Sequence, residues 1–288
     1  MTAPQHSAPL AEIQNLRVAF RNDEGQWHDA VRGVSFSLGR EKLGIVGESG
    51  SGKSLTGRSL LGVLPSYARV SVDRLSFDGI DLKTASPKLR RSLRGGRMGM
   101  ILQDPKYSLN PVMNVGEQII EAIRIGDRKL TAAAARQQAV AALDAVHIRG
   151  AERVMGLYPH ELSGGMGQRV MIAMMVVREP DLLIADEPTS ALDVTVRTQV
   201  LSILDELVTR RGMGLIFISH DLNLVSRFCD RVIVMYAGRI VETLDARHLH
   251  DAKHPYTRGL LACLPSIDGS LEPLPTLNRE AAWLEAAP

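Results

Sequence analysis

Two stretches near the start of the chain alternate apolar and polar residues, Ile13–Phe20 and Val34–Leu38. Such alternation predicts β-strands with one buried and one exposed face. The polar residues between them, Arg21–Gly33, favour a hairpin loop. Leu43–Val46 is a short apolar run that ends in a glycine-rich turn, and a helix is predicted from Lys53 onward. The pattern therefore predicts a strand, a loop and a helix in succession.

Short strands recur further along the chain. Leu75–Leu82 predicts two short strands around an Asp-Gly turn, and Arg97–Leu102 predicts a strand directly before Gln103. Leu182–Ala185 and Leu215–Ile218 are apolar runs bounded by polar residues. Runs of that kind are typical of buried parallel strands.

Helical periodicity dominates the middle of the chain, from Pro111 to about Arg178. Thr131–Ile148 is rich in alanine, and Thr131 is a candidate N-cap. Asp193–Arg211 has helical periodicity as well.

The alternation of strands and helices predicts an α/β fold, with a mostly parallel sheet and helices on both faces. Helices over about residues 104–170 interrupt this order as an insertion. Arg231–Met235 and Ile240–Glu242 flank an Ala-Gly turn and predict a closing hairpin. From Asp245 onward the composition shifts to His, Pro and Leu, which indicates an appended carboxy-terminal segment.

Composition narrows the class of protein. The 288 residues are 45% hydrophobic and 23% charged, with a formal net charge of +2, which favours a compact globular chain over a disordered one. Near-balanced charge gives no expectation of nucleic-acid binding. Val170–Val177, the most apolar run, is far shorter than the ~20 residues of a membrane span. Met1–Leu10 lacks the pattern of a secretory signal, and Cys229 and Cys263 make no disulfide framework. We expect a soluble, intracellular protein.

One segment carries a nucleotide-binding pattern. Gly47–Ser54 reads GESGSGKS and matches G-x-x-x-x-G-K-[ST] at every fixed position, between a predicted strand and a predicted helix. Backbone N–H groups and the helix start would surround phosphate oxygens. Lys53 would neutralise the phosphates and the Ser54 hydroxyl would bind Mg²⁺. The predicted ligands of a nucleoside triphosphate are Gly47, Glu48, Ser49, Gly50, Ser51, Gly52, Lys53 and Ser54.

Two carboxylates follow the strand predicted at Leu182–Ala185. Asp186 at the strand end would hold Mg²⁺ through water, and Glu187 would act as the general base that polarises the attacking water. Paired acids alone are only moderate evidence, because acids often follow strands on protein surfaces. Together with the phosphate-binding loop they predict nucleotide hydrolysis.

A second candidate phosphate site follows Leu162. The segment LSGGMGQR places a serine and adjacent glycines at a helix start, where N–H groups bind anions. It resembles the signature motif of the ATP-binding cassette (ABC) family, and the resemblance extends over about residues 11–245. Met166 and Gly167 depart from the commonest signature. The signature residues implied by the resemblance are Ser163, Gly164, Gly165 and Gln168.

The resemblance implies a P-loop NTPase (RecA-like) core with a mostly parallel sheet, an antiparallel β subdomain and a helical subdomain. It also implies a head-to-tail dimer, in which the signature of one subunit covers ATP held by the other. Further matches follow the family's order along the chain. Gln103 resembles the glutamine that reaches Mg²⁺ and the attacking water, and Ser190–Asp193 resembles the loop that crosses to the partner subunit. His220 resembles the histidine that contacts the γ-phosphate, and Phe20 the ring that stacks on adenine, with Trp27 as the competing ring.

The tail narrows the resemblance to one branch of the family. His254–Leu261 reads HPYTRGLL and, with the following Leu264 and Pro265, resembles the ATPases of oligopeptide, dipeptide and nickel importers. Gly165–Ala173 resembles their D-type subunit. This implies a second ABC ATPase subunit, two membrane permease subunits and an extracytoplasmic solute-binding protein as partners. It also implies a peripheral location at the cytoplasmic face of the inner membrane.

These features divide the chain into an ABC ATPase domain, residues 1–245, and an importer-type extension, residues 246–288. A soluble ABC ATPase of DNA repair or translation remains an alternative, as does an importer of nickel, opines or glycosides. His248, His250 and His254 have a spacing that could ligate a metal, but no fourth ligand is evident. Lys88–Arg97 is a basic stretch that reads as a solvated face.

Overall fold

The computed structural model describes residues 8–263 and residue 283. The chain divides into two compact units. The first unit is drawn from Met1–Ala85 and Ile216–Pro288, and the second is Ser86–Leu215. Each unit contains part of the residues that the sequence analysis singles out.

The first unit begins with an antiparallel sheet. Its strands are β1 (Ala11–Arg21), β2 (Trp27–Leu38), β4 (Arg69–Ser71), β5 (Arg74–Phe77) and β6 (Ile80–Asp81). The strand order is β2-β1-β5-β6, and β4 also pairs with β1. Asp78 and Gly79 both have positive φ in the turn between β5 and β6, as the Asp-Gly pattern predicts.

The second sheet of this unit carries the predicted nucleotide loop. Its members are β3 (Lys42–Val46), β10 (Arg231–Tyr236), β11 (Arg239–Asp245) and β9 (Gly214–Ser219), whose residues from Ile216 onward belong to this unit. The order is β11-β10-β3-β9, with β10 parallel to β3 and antiparallel to β11. The helices are α1 (Lys53–Leu61), α8 (Leu222–Phe228) and α9 (Pro255–Ala262), with a 3₁₀ segment at Ala246–Asp251.

The second unit is mainly helical around two parallel strands. The strands β7 (Met98–Ile101) and β8 (Leu182–Asp186) pair with Ile101 opposite Ala185. The α-helices are α2 (Pro87–Gly96), α3 (Val115–Gly126), α4 (Ala132–Ala145), α5 (Ala151–Val154), α6 (Gly164–Val176) and α7 (Val194–Arg211). Two 3₁₀ turns lie at Pro105–Tyr107 and Pro159–Glu161.

The α/β class predicted from the sequence is confirmed, since antiparallel and parallel strands are combined with helices. Thr131 caps α4 by accepting a hydrogen bond from the Ala134 N–H at 3.2 Å, also as predicted. Among the described residues, no helix is both long and apolar enough to cross a bilayer.

One element differs from its prediction. The loop expected at Arg21–Gly33 is only Asn22–Gln26, because β2 already begins at Trp27. Its first residues, Trp27–Asp29, are exposed and follow no alternation of burial. Pairing with β1 defines this part of the strand, so a hydrophobic pattern could not reveal it.

Candidate functional site

The phosphate-binding loop joins β3 to α1 in the first unit. β3 is buried along most of its length, which fixes the point where the loop begins. α1 starts at Lys53 behind Gly52, and the Thr56 N–H is bonded to the Gly52 carbonyl at 3.0 Å. The first N–H groups of a helix precede its internal hydrogen bonds and are available to an anion. The observed strand, loop and helix are those that the motif requires.

At two positions of this loop, neighbouring backbone atoms leave no room for a side chain, so glycine is required. A Cβ on Gly47 would lie 2.1 Å from the Met235 carbonyl oxygen, and one on Gly52 would lie 2.9 Å from the Ala30 carbonyl oxygen. Both have positive φ, 151° and 96°, a region that glycine occupies without steric cost. Gly50 also has positive φ, 81°, but open space around it. The loop therefore packs tightly at its two ends and is open in its middle.

The Lys53 side chain lies inside the loop, where it is 5% exposed. Its Nζ donates to the Gly47 carbonyl at 2.7 Å and to the Glu48 carbonyl at 2.8 Å. An ammonium held by the loop's own carbonyls is a fixed positive charge beside the helix start. This arrangement suits the binding of phosphate oxygens.

Two aromatic residues were candidates for stacking on adenine. Phe20 lies at the end of β1, half-buried, and its ring centroid is 5.9 Å from that of Tyr67, which is 71% exposed. The Trp27 ring is contacted by two guanidinium groups, Arg21 at 5.1 Å and Arg69 at 4.9 Å. Cation–π contacts use the face of the indole ring, so Phe20 is the better candidate of the two.

His220 completes the predicted residues of the first unit. It is exposed and directly follows β9, which lies beside β3 in the sheet. The next residue, Asp221, caps α8 by accepting a hydrogen bond from the Leu224 N–H at 3.0 Å. His220 is thereby placed between the end of a buried strand and a capped helix.

In the second unit, three predicted residues lie at or just beyond the carboxyl ends of two neighbouring strands. Ile101 of β7 pairs with Ala185 of β8 in parallel. Gln103 therefore lies two residues beyond this pair on one strand, while Asp186 and Glu187 lie directly beyond it on the other. Because the carboxyl ends of paired parallel strands share one edge, these three residues lie at the same edge of the sheet. Asp186 is 4% exposed and Gln103 is exposed.

Glu187 has an unusual backbone. Its φ is 50°, in the left-handed region that residues with a side chain seldom adopt. The carbonyl of Glu187 accepts hydrogen bonds from the Ser190 N–H and the Ser190 hydroxyl, at 3.3 Å and 3.2 Å. A turn closed by these two bonds holds the conformation. Residues held in such conformations cluster at functional sites.

The signature segment forms the start of α6. Ser163 is exposed and caps this helix, accepting a hydrogen bond from the Met166 N–H at 3.3 Å. A Cβ on Gly165 would lie 2.5 Å from Cγ1 of Val196, whereas one on Gly164 would meet nothing within 4 Å. Val196 is in the first turn of α7. Asp193 caps this helix, since its Oδ1 accepts a hydrogen bond from the Val196 N–H at 3.0 Å. The glycine therefore allows the first turns of α6 and α7 to pack together.

Gln168 occupies a different environment from the other signature residues. It lies within α6 and is 1% exposed, and its side-chain Nε2 has no hydrogen-bond partner in the described part of the chain. Ser163 and Gly164, by contrast, are exposed at the helix start. Ser163 and Gly164 are therefore accessible at the surface, whereas Gln168 is not.

The histidines of the tail form no metal site among the described residues. The His248 and His250 rings are 6.1 Å apart, and His254 uses its Nδ1 to accept a hydrogen bond from the Tyr256 N–H at 3.2 Å. No group of three or more His, Cys, Asp and Glu side chains there is arranged to hold a metal. Leu264 and Pro265, which end the tail motif, lie outside the described residues.

Two contacts in the first unit escaped the sequence analysis. Tyr67 packs against Phe20, and the hydroxyl of Tyr256 lies 3.0 Å from the Glu48 N–H of the phosphate-binding loop. Tyr256 was noted only as part of the tail motif. No local pattern links it to Glu48, because 208 residues separate them.

The chain is similar to several known proteins over most of its length. It is 47% identical over 279 residues to a peptide import ATP-binding protein of Brucella abortus (strain 2308), with 96% of this chain and 83% of the relative covered. It is 46% identical over 272 residues to the dipeptide transport ATP-binding protein DppD of Escherichia coli (strain K12), with 93% and 82% covered. For the oligopeptide transport ATP-binding protein OppD of Bacillus subtilis (strain 168), the identity is 45% over 268 residues, with 91% and 74% covered.

Solved structures agree on the fold. The dimeric ATP-binding cassette MJ0796, in a post-hydrolysis state with ADP and Pi, matches with a TM-score of 0.73 at 24% identity, covering 82% of this chain and 99% of that one. CbiO1 of Clostridium perfringens, part of an ABC transporter complex, matches with a TM-score of 0.70 at 28% identity, covering 85% and 92%. The family model described as "ABC transporter" matches residues 31–190, more than half of the chain. With the phosphate-binding loop, the paired acids and the signature helix in place, the chain belongs to the ABC transporter family.

Proposed function

We propose that this chain is the ATP-hydrolysing subunit of an ABC importer that takes up peptides or related small solutes. The observation that carries the proposal is the 45–47% sequence identity to ATP-binding proteins of peptide, dipeptide and oligopeptide import, over more than nine-tenths of the chain. The match to the Brucella abortus relative covers 96% of the chain and therefore includes most of the tail. Soluble ABC ATPases of repair or translation are disfavoured, because the relatives named here are import proteins.

ATP is bound by the phosphate-binding loop in this proposal. Lys53 holds the β- and γ-phosphates, the loop amides surround them, and Phe20 stacks on the adenine ring. The tight packing at Gly47 and Gly52 and the buried Lys53 side chain support this assignment.

The residues present fit a magnesium ion. Ser54, Asp186 and Gln103 would supply a hydroxyl, a carboxylate and an amide oxygen, the hard oxygen donors that Mg²⁺ prefers. When bound, the ion would neutralise charge on the phosphates.

Hydrolysis requires a base and a contact to the γ-phosphate. Glu187 polarises the attacking water and His220 contacts the γ-phosphate in the proposed reaction. The constrained backbone of Glu187 supports its role, because the turn closed by Ser190 fixes the backbone from which the carboxylate side chain projects.

A second ABC subunit completes the site by supplying its signature segment. Ser163, Gly164, Gly165, Gln168 and Asp193 are the proposed residues of that surface. Ser163 and Gly164 are exposed at the start of α6, and Val194 at the start of α7 is 75% exposed. Exposed anion-binding groups beside an exposed apolar residue support contact with another subunit.

Two permease subunits would receive the motion of the ATPase dimer, and a binding protein would deliver the solute. The loop after Asn110 supports the permease contact, since Val112 is 80% exposed there.

We propose a peripheral position at the cytoplasmic face of the inner membrane. We also keep the division into an ATPase domain, residues 1–245 with its helical subdomain at about 104–170, and an extension, residues 246–288.

Purification of the native complex tests this proposal. The chain, isolated from membranes through an affinity tag, is expected to bring down a related ATPase and two permease subunits, with peptides as the solute of the associated binding protein. Isolation without any permease would favour a soluble ATPase. Nickel, an opine or a glycoside as the solute would retain the importer but replace its substrate.

A further inference from the structure

The helix α9 of the tail contacts the phosphate-binding loop through one side chain. The Tyr256 ring is fully buried, and its hydroxyl accepts a hydrogen bond from the Glu48 N–H at 3.0 Å. Glu48 is the second residue of the loop. The tail therefore contacts the backbone of the proposed ATP site from a position 208 residues away in the sequence.

The same peptide group is bonded at both of its ends. The Glu48 N–H and the Gly47 carbonyl belong to one planar peptide unit. Tyr256 accepts from the N–H, while Lys53 Nζ donates to the Gly47 carbonyl at 2.7 Å. Rotation of this unit would break both bonds, because its donor and its acceptor point in opposite directions. The Tyr256 hydroxyl therefore fixes the orientation of a carbonyl that holds the Lys53 ammonium.

The position of Tyr256 is itself determined by several contacts. Its ring centroid lies 4.5 Å from that of Tyr236 at the end of β10 and 5.8 Å from that of Trp283. The start of α9 is attached to β11, since the Glu242 carboxylate accepts hydrogen bonds from the Lys253 and His254 N–H groups, at 2.7 Å and 3.3 Å. The hydroxyl is thus held in place by packing and by hydrogen bonds, as a positioning group must be.

We propose that Tyr256 is a positioning residue of the ATP site, which orients the Gly47–Glu48 peptide and through it the Lys53 ammonium. The inference rests on the proposed binding of ATP phosphates by this loop. It makes the tail part of the nucleotide site, with the phenol hydroxyl as the group that connects them. The hydroxyl touches no phosphate; it lowers the cost of ordering the loop around one.

Tyr256→Phe tests the proposal because it removes only the hydroxyl and keeps the packed ring. Titration of the full-length chain with ATP is expected to give a Kd about three- to tenfold higher than wild type, the usual effect of one lost hydrogen bond. Tyr236→Phe is the matched control, since it removes a hydroxyl from the neighbouring ring and leaves the Glu48 bond intact. Its Kd should stay within about twofold of wild type. A purely structural role of Tyr256 would lower Tm without raising the Kd, and that result would overturn the proposal.

Hydrogen exchange of the loop amides provides a second measurement that needs no nucleotide. The Glu48 amide should exchange faster in Tyr256→Phe than in wild type and in Tyr236→Phe. Equal exchange in all three proteins would also overturn the inference. If wild type bound no ATP while the Glu48 amide still depended on Tyr256, the proposed function would fail instead.

Discussion

In the proposed function, ATP binding depends most on Lys53, whose ammonium group is buried. Its Nζ lies at hydrogen-bond distance from two loop carbonyls, so the charge is already in place when phosphate arrives. Lys53→Ala should raise the Kd for ATP about tenfold or more, because it removes a charge-assisted hydrogen bond to phosphate. Isothermal titration with ATP measures the effect. Lys83→Ala, which removes an ammonium that bonds a carbonyl elsewhere, is the control and should bind ATP as wild type does.

Cys229 gives a prediction about pH. Burial raises the pKa of its thiol well above the usual range, although nearby Lys42 acts in the opposite direction. The unfolded chain ionises this thiol near its ordinary pKa of about 8.5, while the folded chain keeps the proton. The unfolded state therefore binds fewer protons at alkaline pH, and stability must fall as the pH rises above about 8.5. Below that pH the contribution is constant.

Urea unfolding at pH 7, 9 and 10 measures this dependence. Cys229→Ala should reduce the alkaline loss of stability, whereas Cys263→Ala should retain it, because Cys263 is only half-buried. An unchanged alkaline loss in Cys229→Ala would show that other groups cause it.

At the residue scale, the site motifs that could be predicted are those made of consecutive residues. Gly47–Ser54 and Leu162–Gln168 are local patterns whose geometry follows from a strand or a helix beside them. The hydrogen bond of Tyr256 to Glu48 was not predictable, because it depends on how a tail helix packs. Likewise, only the structure shows that Trp27 is contacted by two arginines.

At the scale of elements, β3 and α8 are packed so closely that one position has no room for a methyl group. A Cβ on Gly44 would lie 2.2 Å from Cγ1 of Val225 and 3.2 Å from Sγ of Cys229. Gly44→Ala must therefore separate the strand that leads into the phosphate-binding loop from its helix. We expect a loss of about 1–3 kcal/mol in the free energy of unfolding, as in other overpacked cores.

Gly156→Ala is the matched control for that substitution. Its added Cβ would meet only the Arg153 carbonyl oxygen, at the ordinary distance of 3.6 Å. Its free energy of unfolding should stay within about 0.5 kcal/mol of wild type. Denaturant titration of both variants gives the comparison, and equal stability of the two would contradict the packing argument.

Buried strands could be predicted from the hydrophobic pattern, whereas an exposed strand segment could not. Buried strands such as β3, β8 and β9 were located to within a residue or so, because both faces are apolar. The start of β2, Trp27–Asp29, was predicted as a loop, because these residues are exposed and only pairing with β1 orders them. Hydrophobic patterns record burial and do not record pairing at an exposed edge.

At the scale of the whole molecule, the proposed hydrolysis requires two ATPase subunits to meet around ATP. Glu187→Gln keeps the shape of the side chain but removes the base, so ATP is bound without being hydrolysed. Mixed with the related ATPase subunit, the variant should therefore accumulate as an ATP-dependent dimer, detected by size-exclusion chromatography with light scattering. The double variant Lys53→Ala, Glu187→Gln is the control and should remain monomeric, because it lacks the phosphate contact. Rapid ATP turnover by Glu187→Gln would remove Glu187 from its assigned role.

The most direct test of the central claim is ATP hydrolysis by the complete transporter in lipid vesicles, with and without peptide-loaded binding protein. The account predicts that peptide raises the hydrolysis rate several-fold and that Glu187→Gln abolishes the rate in both conditions. A rate that is the same with and without peptide, or one that only nickel, an opine or a glycoside stimulates, would contradict the assignment as a peptide importer ATPase.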